Sequence, residues 1–260
     1  VASRYEDLVA LARTCTEGSD FVWLGLLDPS PDELAHAAAA FGLHPLAVED
    51  ALATHERPKV DVHGDTLTIV VRPARYLDEP ETVEFGQITM MAAPNHVVVV
   101  RHGDAVPLTD LRTRMESDPE WLREGPGAVV HAIIDEVVEA YGPVLLGIAD
   151  DIDEVEEVVF STSRESPTQR IYELKREVLE FSKSTTPLVE VLEDLVTLEH
   201  PVLSEELHRA CVIAGEHPRP RALEHDARVR HRARLLLEQL IDGVAPAGRI
   251  AERLQESGHA

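Results

Sequence analysis

The sequence predicts an α+β protein in which a helix-flanked mixed β-sheet is followed by long antiparallel helices and a C-terminal helical segment. Three observations predict this class. Short apolar segments with a period of two fill residues 60–101, strand signals disappear after Gly127, and an apolar heptad pattern occupies residues 131–159. We therefore expect an α/β domain at 1–126, a helical hairpin at 127–200 and a C-terminal, stalk-like segment at 201–260.

The first helices and the first strand are predicted from their boundary residues. Residues 1–20 favour a short helix and residues 21–26 favour a strand. Ser30, Pro31 and Glu33 then form the pattern of a helix start. The serine side chain can cap the first turn, proline suits the first helical position, and glutamate three residues after the cap can complete a capping box.

Two short helices are predicted before the sheet. The alanine-rich helix that follows Ser30 stops at Gly42. The next helix starts at Pro45, carries Glu49 and Asp50, and ends near Thr54. Because adjacent residues diverge by about 100° around a helix, only one of these two carboxylates is expected to be a direct ligand of any one ion.

Four further strands are predicted from alternating apolar and polar residues with turn residues between them: 60–62, 66–71, 83–91 and 96–101. With the strand at 21–26 they make a sheet of at least five strands, connected mostly by hairpins. A helix from Pro107 to about Glu116 and a turn at 125–127 complete this half of the chain.

Residues 131–159 are predicted to form one long acidic helix. No Lys or Arg lies between Arg123 and Arg164, and the apolar positions recur at steps of four and three: Ile134, Val138, Tyr141, Leu145, Ile148, Ile152, Val155 and Val159. Such a helix repels itself unless cations collect on it or a basic partner faces it. A kink is expected at Gly142-Pro143.

A second long helix, residues 171–195, is predicted to return beside the acidic one as an αα-hairpin. Its basic residues, Arg170 among them, are expected to meet part of the acidic charge. Residues 202–214 predict one more short helix. A basic helix from Arg221 and a terminal helix to about Gln255 follow, interrupted by proline and glycine.

Composition excludes several classes of function. A formal charge of -24 argues against nucleic acid or an anionic membrane surface as the main partner, and is compatible with metal cations or basic proteins. Two cysteines support neither disulfides nor a thiolate zinc cluster. The thirteen histidines show no paired ligand spacing, and no catalytic triad, P-loop or dinucleotide motif occurs. We expect a soluble, non-enzymatic chain without membrane spans.

A set of distinctive motifs follows a fixed order along residues 21 to about 195. The strongest is residues 41–51, FGLHPLAVEDA, followed by Arg57-Pro58-Lys59-Val60. Further segments of the set are Val100-Arg101-His102-Gly103, Asp118-Pro119-Glu120, His131 to Asp135 with Tyr141 and Pro143, Asp151 to Glu156, and Arg170 to Arg176. In this order, the motifs resemble those of the CorA-type magnesium transporter family.

The resemblance implies a cytoplasmic regulatory domain of a magnesium or cobalt channel. In that family the domain forms a pentameric funnel at the cytoplasmic face of the membrane, and Mg²⁺ bound between subunits holds the channel shut. The carboxylates that match this site are Asp50, with Glu49 beside it, and Asp135, with Glu139 assisting one turn later. The two membrane spans and their Gly-Met-Asn signature are absent from residues 1–260.

Alternatives remain open at this point. Asp50 and Glu49 could lie on a solvated helix face, and Asp135 could pair with an arginine of the second helix. The family's third helix should supply another acidic ligand, but prolines and glycines interrupt residues 214–250, so neither Glu224 nor Asp226 is assigned. A zinc-transporting branch of the family, with Zn²⁺ in place of Mg²⁺ or Co²⁺, and a stand-alone acidic cytosolic protein that docks a basic partner are the competing functions.

Overall fold

The structure, a computed structural model, describes residues 20–54, 57–160 and 168–203, with isolated positions before residue 20. The helix predicted at 1–20 and the helices predicted after residue 203, with Arg221, Glu224 and Asp226, lie outside the described residues. The elements are β1 (Val22–Leu27), α1 (Pro31–Phe41), α2 (Pro45–Leu52), β2 (Lys59–His63), β3 (Thr66–Val71), β4 (Ala74–Leu77), β5 (Thr82–Phe85), β6 (Gln87–Ala93), β7 (His96–His102), α3 (Thr109–Ser117), α4 (Pro119–Leu122), α5 (Pro126–Phe160), α6 (Thr168–Thr185) and α7 (Pro187–Thr197).

A five-stranded mixed sheet in the order β1-β7-β6-β3-β2 forms the centre of the molecule. β1 runs parallel to β7, with Trp23 opposite Val97, and the other neighbours are antiparallel. The predicted α+β class and the mostly hairpin-connected sheet are confirmed. β4 and β5 form a separate two-stranded ribbon between β3 and β6 in the chain.

The two faces of the sheet bury different cores, because successive residues of a strand point to opposite faces. Met90 and Val99 belong to a large core that continues into α5, α6 and α7. Met91 and Val98, their neighbours in sequence, belong to a smaller core built with α1 and α2. The helices α1 and α2 therefore cover one face, and α5 covers the other. The domain boundary after residue 126 stays a prediction.

The start of α1 confirms the predicted capping box. The Ser30 hydroxyl accepts a hydrogen bond from the Glu33 backbone N–H, and the Glu33 carboxylate accepts one from the Ser30 backbone N–H at 3.0 Å. Pro31 occupies the first helical position. The helix ends at Gly42, which has φ 67° in the left-handed region that glycine adopts without strain.

The prediction of one strand at 83–91 is wrong. The chain leaves the ribbon at Phe85 and enters the sheet at Gln87, and β4 pairs with the first half. Gly86 makes this change possible, because a side chain there would lie 2.8 Å from the backbone oxygen of His102 and 3.2 Å from Pro73. The alternating pattern continues across the glycine, so it does not show the change of sheet.

The acidic helix α5 begins at Pro126 rather than near His131 and remains helical through Pro143. The kink at Gly142-Pro143 stays a prediction. The seam is confirmed at the positions that pack against the sheet and α6, since these side chains are buried: Ile134, Val138, Tyr141, Ile148 and Val155.

The αα-hairpin of α5 and α6 is confirmed, but the returning helix is not continuous to residue 195. It breaks at Thr186, and α7 begins at Pro187. The proline lacks a backbone N–H to donate into the preceding turn. Apolar residues on both sides of the break, such as Phe181 and Leu188, still bury into the same core. The apolar spacing thus survives an interruption of the helix.

Candidate metal-binding carboxylates

Asp50 lies in α2, whose position on the sheet is fixed by side chains from β6 and β7. Gln87 Nε2 donates to the backbone oxygens of Asp50 and Ala53, at 3.0 and 2.7 Å. His102 Nε2 lies 2.7 Å from the backbone oxygen of Ala51. These contacts satisfy carbonyl groups that a helix end leaves without partners. The last turn of α2, which carries Asp50, is therefore held against the strands below it.

The carboxylate of Asp50 is already paired with a cation. Lys59 Nζ, at the start of β2, lies 2.7 Å from Asp50 Oδ1 and 3.5 Å from Asp61 Oδ2. The Asp50 side chain is 15% exposed and that of Lys59 is 35% exposed. Although partial burial lowers the pKa of Lys59, the two carboxylates raise it above its ordinary value. The pairing identifies Asp50 as a carboxylate that a partly exposed ammonium group currently neutralises.

Glu49 and Asp50 have different surroundings, as their divergence around the helix predicts. Glu49 is exposed to solvent, whereas Asp50 turns toward Lys59. Asp135 and Glu139 lie one turn apart on α5, where Asp135 is half-buried and Glu139 is exposed. Both of these residues make interactions within the chain. All four carboxylates remain predicted ligands.

Asp135 is positioned by the way α5 packs on the sheet. The adjacent Ile134 is buried in the large core, and the Tyr141 hydroxyl donates to the backbone oxygen of Arg72 at 2.6 Å. Next to Asp135, the carboxylate of Glu136 accepts a hydrogen bond from Arg114 of α3. Arginine from α3 therefore meets part of the acidic helix's charge, in addition to arginine from α6.

The sheet separates the two predicted ligand pairs within one chain. Asp50 belongs to α2 on the face with the smaller core, and Asp135 belongs to α5 on the opposite face. Among the residues that the structure describes, no group of three or more His, Cys, Asp or Glu side chains is arranged to hold a metal ion. Asp50 and Asp135 could therefore bind the same ion only if they came from two different copies of the chain.

Histidine ligands for a softer metal were not found by spacing, yet the fold brings two histidines together. The rings of His44 and His63 stack with centroids 4.0 Å apart. His44 Nδ1 accepts a hydrogen bond from the Leu46 backbone N–H and so caps α2. That nitrogen is therefore unprotonated, and the proton of the neutral ring lies on Nε2, where a metal would have to bind. The pair favours a structural role in capping.

A polar junction that the sequence analysis missed lies at the other end of α5. Asp151 is 3% exposed, and its Oδ1 accepts a hydrogen bond from the Tyr76 hydroxyl at 2.8 Å and forms an ion pair with Arg170 Nη2 at 3.1 Å. Its acidic neighbours Asp150 and Asp153 are exposed. The signal in the sequence was position, because Asp151 lies between the seam residues Ile148 and Ile152.

Within the described residues, no helix combines the length and the apolar character that crossing a membrane requires. The family model of the CorA-like Mg²⁺ transporter protein matches residues 18–242. The cobalt/magnesium transport protein CorA of Thermotoga maritima is 29% identical over 176 residues, which are 67% of this chain and 50% of that protein. The chain spans about half the length of the curated relatives it matches.

Solved structures share the fold at low sequence identity. The soluble domain of CorA from Methanocaldococcus jannaschii superimposes with a TM-score of 0.62 at 18% identity, and the match covers 86% of each chain. The ZntB cytoplasmic domain from Vibrio parahaemolyticus gives a TM-score of 0.54 at 12% identity, covering 89% of this chain and 88% of that one. These likenesses establish the α+β fold with its long helices.

Proposed function

The chain belongs to the CorA-like Mg²⁺ transporter family, and we propose that it is the metal-sensing cytoplasmic region of a divalent-cation transporter. In this proposal, Asp50 of one copy and Asp135 of its neighbour hold a Mg²⁺ ion between subunits. Glu49 and Glu139 contribute negative charge, and bound Mg²⁺ favours the closed state of a pentamer. The region regulates transport and catalyses no reaction. Co²⁺ is the second cargo that the named relatives suggest.

The observation that carries the proposal is the placement of Asp50 and Asp135 on opposite faces of the sheet. Neither α2 nor α5 can complete an oxygen cage with the other inside one chain. In a ring, however, one face of each subunit meets the opposite face of the next. A heterologous contact of this kind brings the two carboxylates together once per subunit.

The chemistry of the carboxylates fits a small, hard cation. Mg²⁺ prefers oxygen ligands and retains several of its waters, so a few carboxylates around a hydrated ion suffice. Two carboxylates about 6 Å apart repel by roughly 3 kcal/mol at an effective dielectric of about 20, and a divalent ion between them reverses the sign. Repeated weak sites around a ring would shift its two-state equilibrium while responding to cellular concentrations of Mg²⁺.

In this proposal, Lys59 takes the place of the metal ion beside Asp50 when no metal is bound. Its ammonium group neutralises Asp50 when no ion is present, and Mg²⁺ must displace it to reach the carboxylate. Because Lys59 is partly exposed, its ammonium group can rotate away from Asp50 and be hydrated, so breaking the ion pair costs little free energy. This competition weakens the affinity for Mg²⁺, which suits a sensor.

The proposal is tested by Mg²⁺-dependent protection of the full chain. We expect Mg²⁺ to raise the thermal midpoint, slow proteolysis and promote self-association measured by sedimentation. The double variant D50A/D135A should lose all three responses. The variant D150A/D153A removes two exposed carboxylates of the same acidic helix and should keep them. Unchanged protection of D50A/D135A would remove these residues from the site.

Calorimetry with Mg²⁺, Co²⁺ and Zn²⁺ separates the proposal from its competitors. Oxygen ligands predict binding of Mg²⁺ and Co²⁺ that depends on Asp50 and Asp135. Tight Zn²⁺ binding that survives D50A/D135A and is lost in H63A would instead favour the zinc-transporting branch. Salt-sensitive capture of a basic protein without any effect of divalent cations would favour the stand-alone acidic interaction protein.

A further inference from the structure

The β4–β5 ribbon rests on the acidic helix through one tyrosine and one glycine. The ring of Tyr76 covers Gly147 so closely that a Cβ at Gly147 would lie 2.5 Å from the ring. One turn further along α5, the Tyr76 hydroxyl donates to Asp151 Oδ1 at 2.8 Å. The ribbon is thus docked by shape at Gly147 and by a hydrogen bond at Asp151.

The returning helix α6 joins the same junction through a single guanidinium group. Arg170 Nη2 lies 3.1 Å from Asp151 Oδ1 and 2.9 Å from Glu81 Oε2 in the turn between β4 and β5. One arginine therefore links the hairpin's two helices and the ribbon turn.

Among the described residues, the junction contains more acidic than basic side chains, and two of its carboxylate oxygens have no hydrogen-bond donor. Glu81 and Asp151 form ion pairs with Arg170, and the charge of Arg170 also acts on Glu177. Asp151 Oδ2 and Glu177 Oε2 are both buried, and neither has a hydrogen-bond partner among the described residues. A buried carboxylate oxygen without a donor is unfavourable, and two like charges in one site raise that penalty. A proton on Asp151 Oδ2 would remove one of the negative charges at this junction.

We infer that this junction is a proton-operated latch: uptake of one solvent proton by Asp151 Oδ2 tightens the docking of the β4–β5 ribbon on the α5–α6 hairpin. The step converts a carboxylate into a carboxylic acid and changes no other bond. Oδ1 keeps its position as acceptor for the Tyr76 hydroxyl. The inference does not depend on the proposed Mg²⁺ site, because none of its residues lies near Asp50 or Asp135 in the chain.

The surroundings of Asp151 give the direction of the effect. Burial, the largest influence, raises the pKa of Asp151 above its ordinary value of 3.8, and Glu81 adds to the increase. The Tyr76 hydroxyl and Arg170 oppose it but leave the pKa raised. Burial and the Asp151 carboxylate also raise the pKa of Tyr76, so its hydroxyl remains protonated and stays a donor between pH 4 and pH 8.

Glu177, on the α6 side of the junction, is affected in the same direction. Burial raises the pKa of Glu177 above 4.5, Asp151 and Glu173 add to the increase, and Arg170 and Arg176 oppose it. A group whose pKa is raised in the folded state retains its proton after the unfolded chain has lost it. The stability that the proton contributes is therefore present at low pH and is lost as the pH rises through the folded-state value.

A latch at this place can act on the sheet because the base of the ribbon is closed. The Gly86 backbone N–H donates to the Pro73 oxygen at 2.9 Å, where the two ribbon strands leave β3 and enter β6. The ribbon is fixed at this end and held at the other by Tyr76 and Glu81. Release at the hairpin would free the ribbon from α5 and α6 while leaving it attached between two central strands.

The test measures hydrogen-exchange protection factors of ribbon residues 74–85 in the full chain from pH 4 to pH 8, with intrinsic exchange rates divided out. In the wild-type protein the opening constant of the ribbon should rise with pH, by about tenfold for each unit by which the folded-state pKa of Asp151 exceeds the unfolded-state value. D151N, which resembles the protonated acid in shape and charge, should keep the ribbon closed and reduce this pH dependence to the part that Glu177 contributes.

The control is D150N, because Asp150 is exposed on the same helix and the substitution removes the same charge. It should follow the wild-type profile. Should D151N fail to fold, Y76F provides the second variant. It removes a donor to the ionised carboxylate, and so should move the opening transition to higher pH. Equal profiles for D150N and D151N, or a ribbon whose protection does not change with pH, would overturn the latch.

A metal arm distinguishes a proton from a cation at the same carboxylates. Mg²⁺ added at pH 8 should leave the ribbon's opening constant unchanged in the wild-type protein. If Mg²⁺ closes the ribbon at pH 8 and D151N abolishes that effect, the junction binds a cation and the proton latch is wrong. This outcome is independent of whether D50A/D135A loses its own response to Mg²⁺.

Discussion

The two faces of the central sheet treat their carboxylates in opposite ways. On the α2 face, Asp50 lies at the rim of a small core and pairs with a lysine that solvent can reach. On the α5 side, Asp151 is buried where the β4–β5 ribbon packs on the helix, and it is held by a tyrosine and an arginine. The first carboxylate is paired with a cation that solvent reaches, whereas the second is almost fully enclosed by the protein.

Charge alone therefore does not identify a metal ligand. The acidic side chains of helix α5 have three different surroundings. Asp151 is buried and pairs with Arg170, Glu136 pairs with Arg114, and Asp150 is exposed to solvent. A carboxylate that binds an exchangeable ion must be positioned firmly and remain open on one side. Asp50 meets both conditions: Gln87 holds the end of its helix, and its side chain is 15% exposed.

The largest expected effect concerns the cores that make the two faces unequal. Met90 and Met91 are adjacent in β6, both fully buried, and point to opposite faces. Replacement of a buried methionine by alanine costs about 2–5 kcal/mol of unfolding free energy. We expect M90A, in the larger core beneath α5, to fall in the upper half of that range and M91A, against the alanine-rich helices, in the lower half.

Chemical denaturation of the full chain measures both values. Leu146 is exposed on α5, so L146A controls for removing an apolar side chain outside the cores and should change stability by less than about 0.5 kcal/mol. Equal losses for M90A and M91A, or a greater loss for M91A, would mean that the two faces contribute alike and would break the comparison.

The next effect concerns the close approach on the α5 face. In G147A the new methyl group would meet the Tyr76 ring at 2.5 Å and push the ribbon away. Overpacking costs about 1–3 kcal/mol, against a gain of up to about 1 kcal/mol from the helix preference of alanine. We therefore expect a net loss of up to about 2 kcal/mol, measured by denaturation, and weaker protection of the ribbon in hydrogen exchange.

Gly142 provides the matched control on the same helix. Apart from its neighbours in the chain, nothing lies within 4 Å of the position a Cβ would take there. In G142A the helix preference of alanine opposes the steric restriction on a residue before Pro143, so the net change should be below about 1 kcal/mol. A loss in G142A as large as in G147A would show that backbone freedom, and not the tyrosine, decides the effect.

The sequence predicted the features that depend on nearby residues. The capping box of Ser30 and Glu33 formed because all its atoms lie within one helical turn. The sheet and the apolar seam of α5 followed from periodicity. The prediction of one strand at 83–91 was wrong because the chain passes from the ribbon to the central sheet at Gly86, while the alternation of side chains continues.

The partners of the charged residues could not be predicted in the same way. Tyr76 and Asp151 are 75 residues apart in the chain, so only the packing of the ribbon on α5 brings them together. Lys59 and Asp50 are nine residues apart, but their pairing depends on how α2 and β2 are placed relative to each other. Family resemblance selected Asp50 and Asp135 without these contacts. It therefore identified the candidate ligands but not the cation that competes for one of them.

The smallest expected effect sharpens the contrast at Asp50. K59M removes the competing ammonium group, so Mg²⁺ no longer has to displace it and should bind more tightly. The contribution of such a partly exposed pair is at most about 1 kcal/mol, which predicts a gain of about threefold to fivefold in Mg²⁺ affinity by calorimetry. R75M breaks the comparable exposed pair with Glu84 and changes net charge equally, so it should leave the affinity unchanged. Equal gains in both variants would indicate that overall charge controls binding. No gain in K59M would mean that Mg²⁺ does not reach the Asp50 carboxylate, and the two faces would then differ in burial alone.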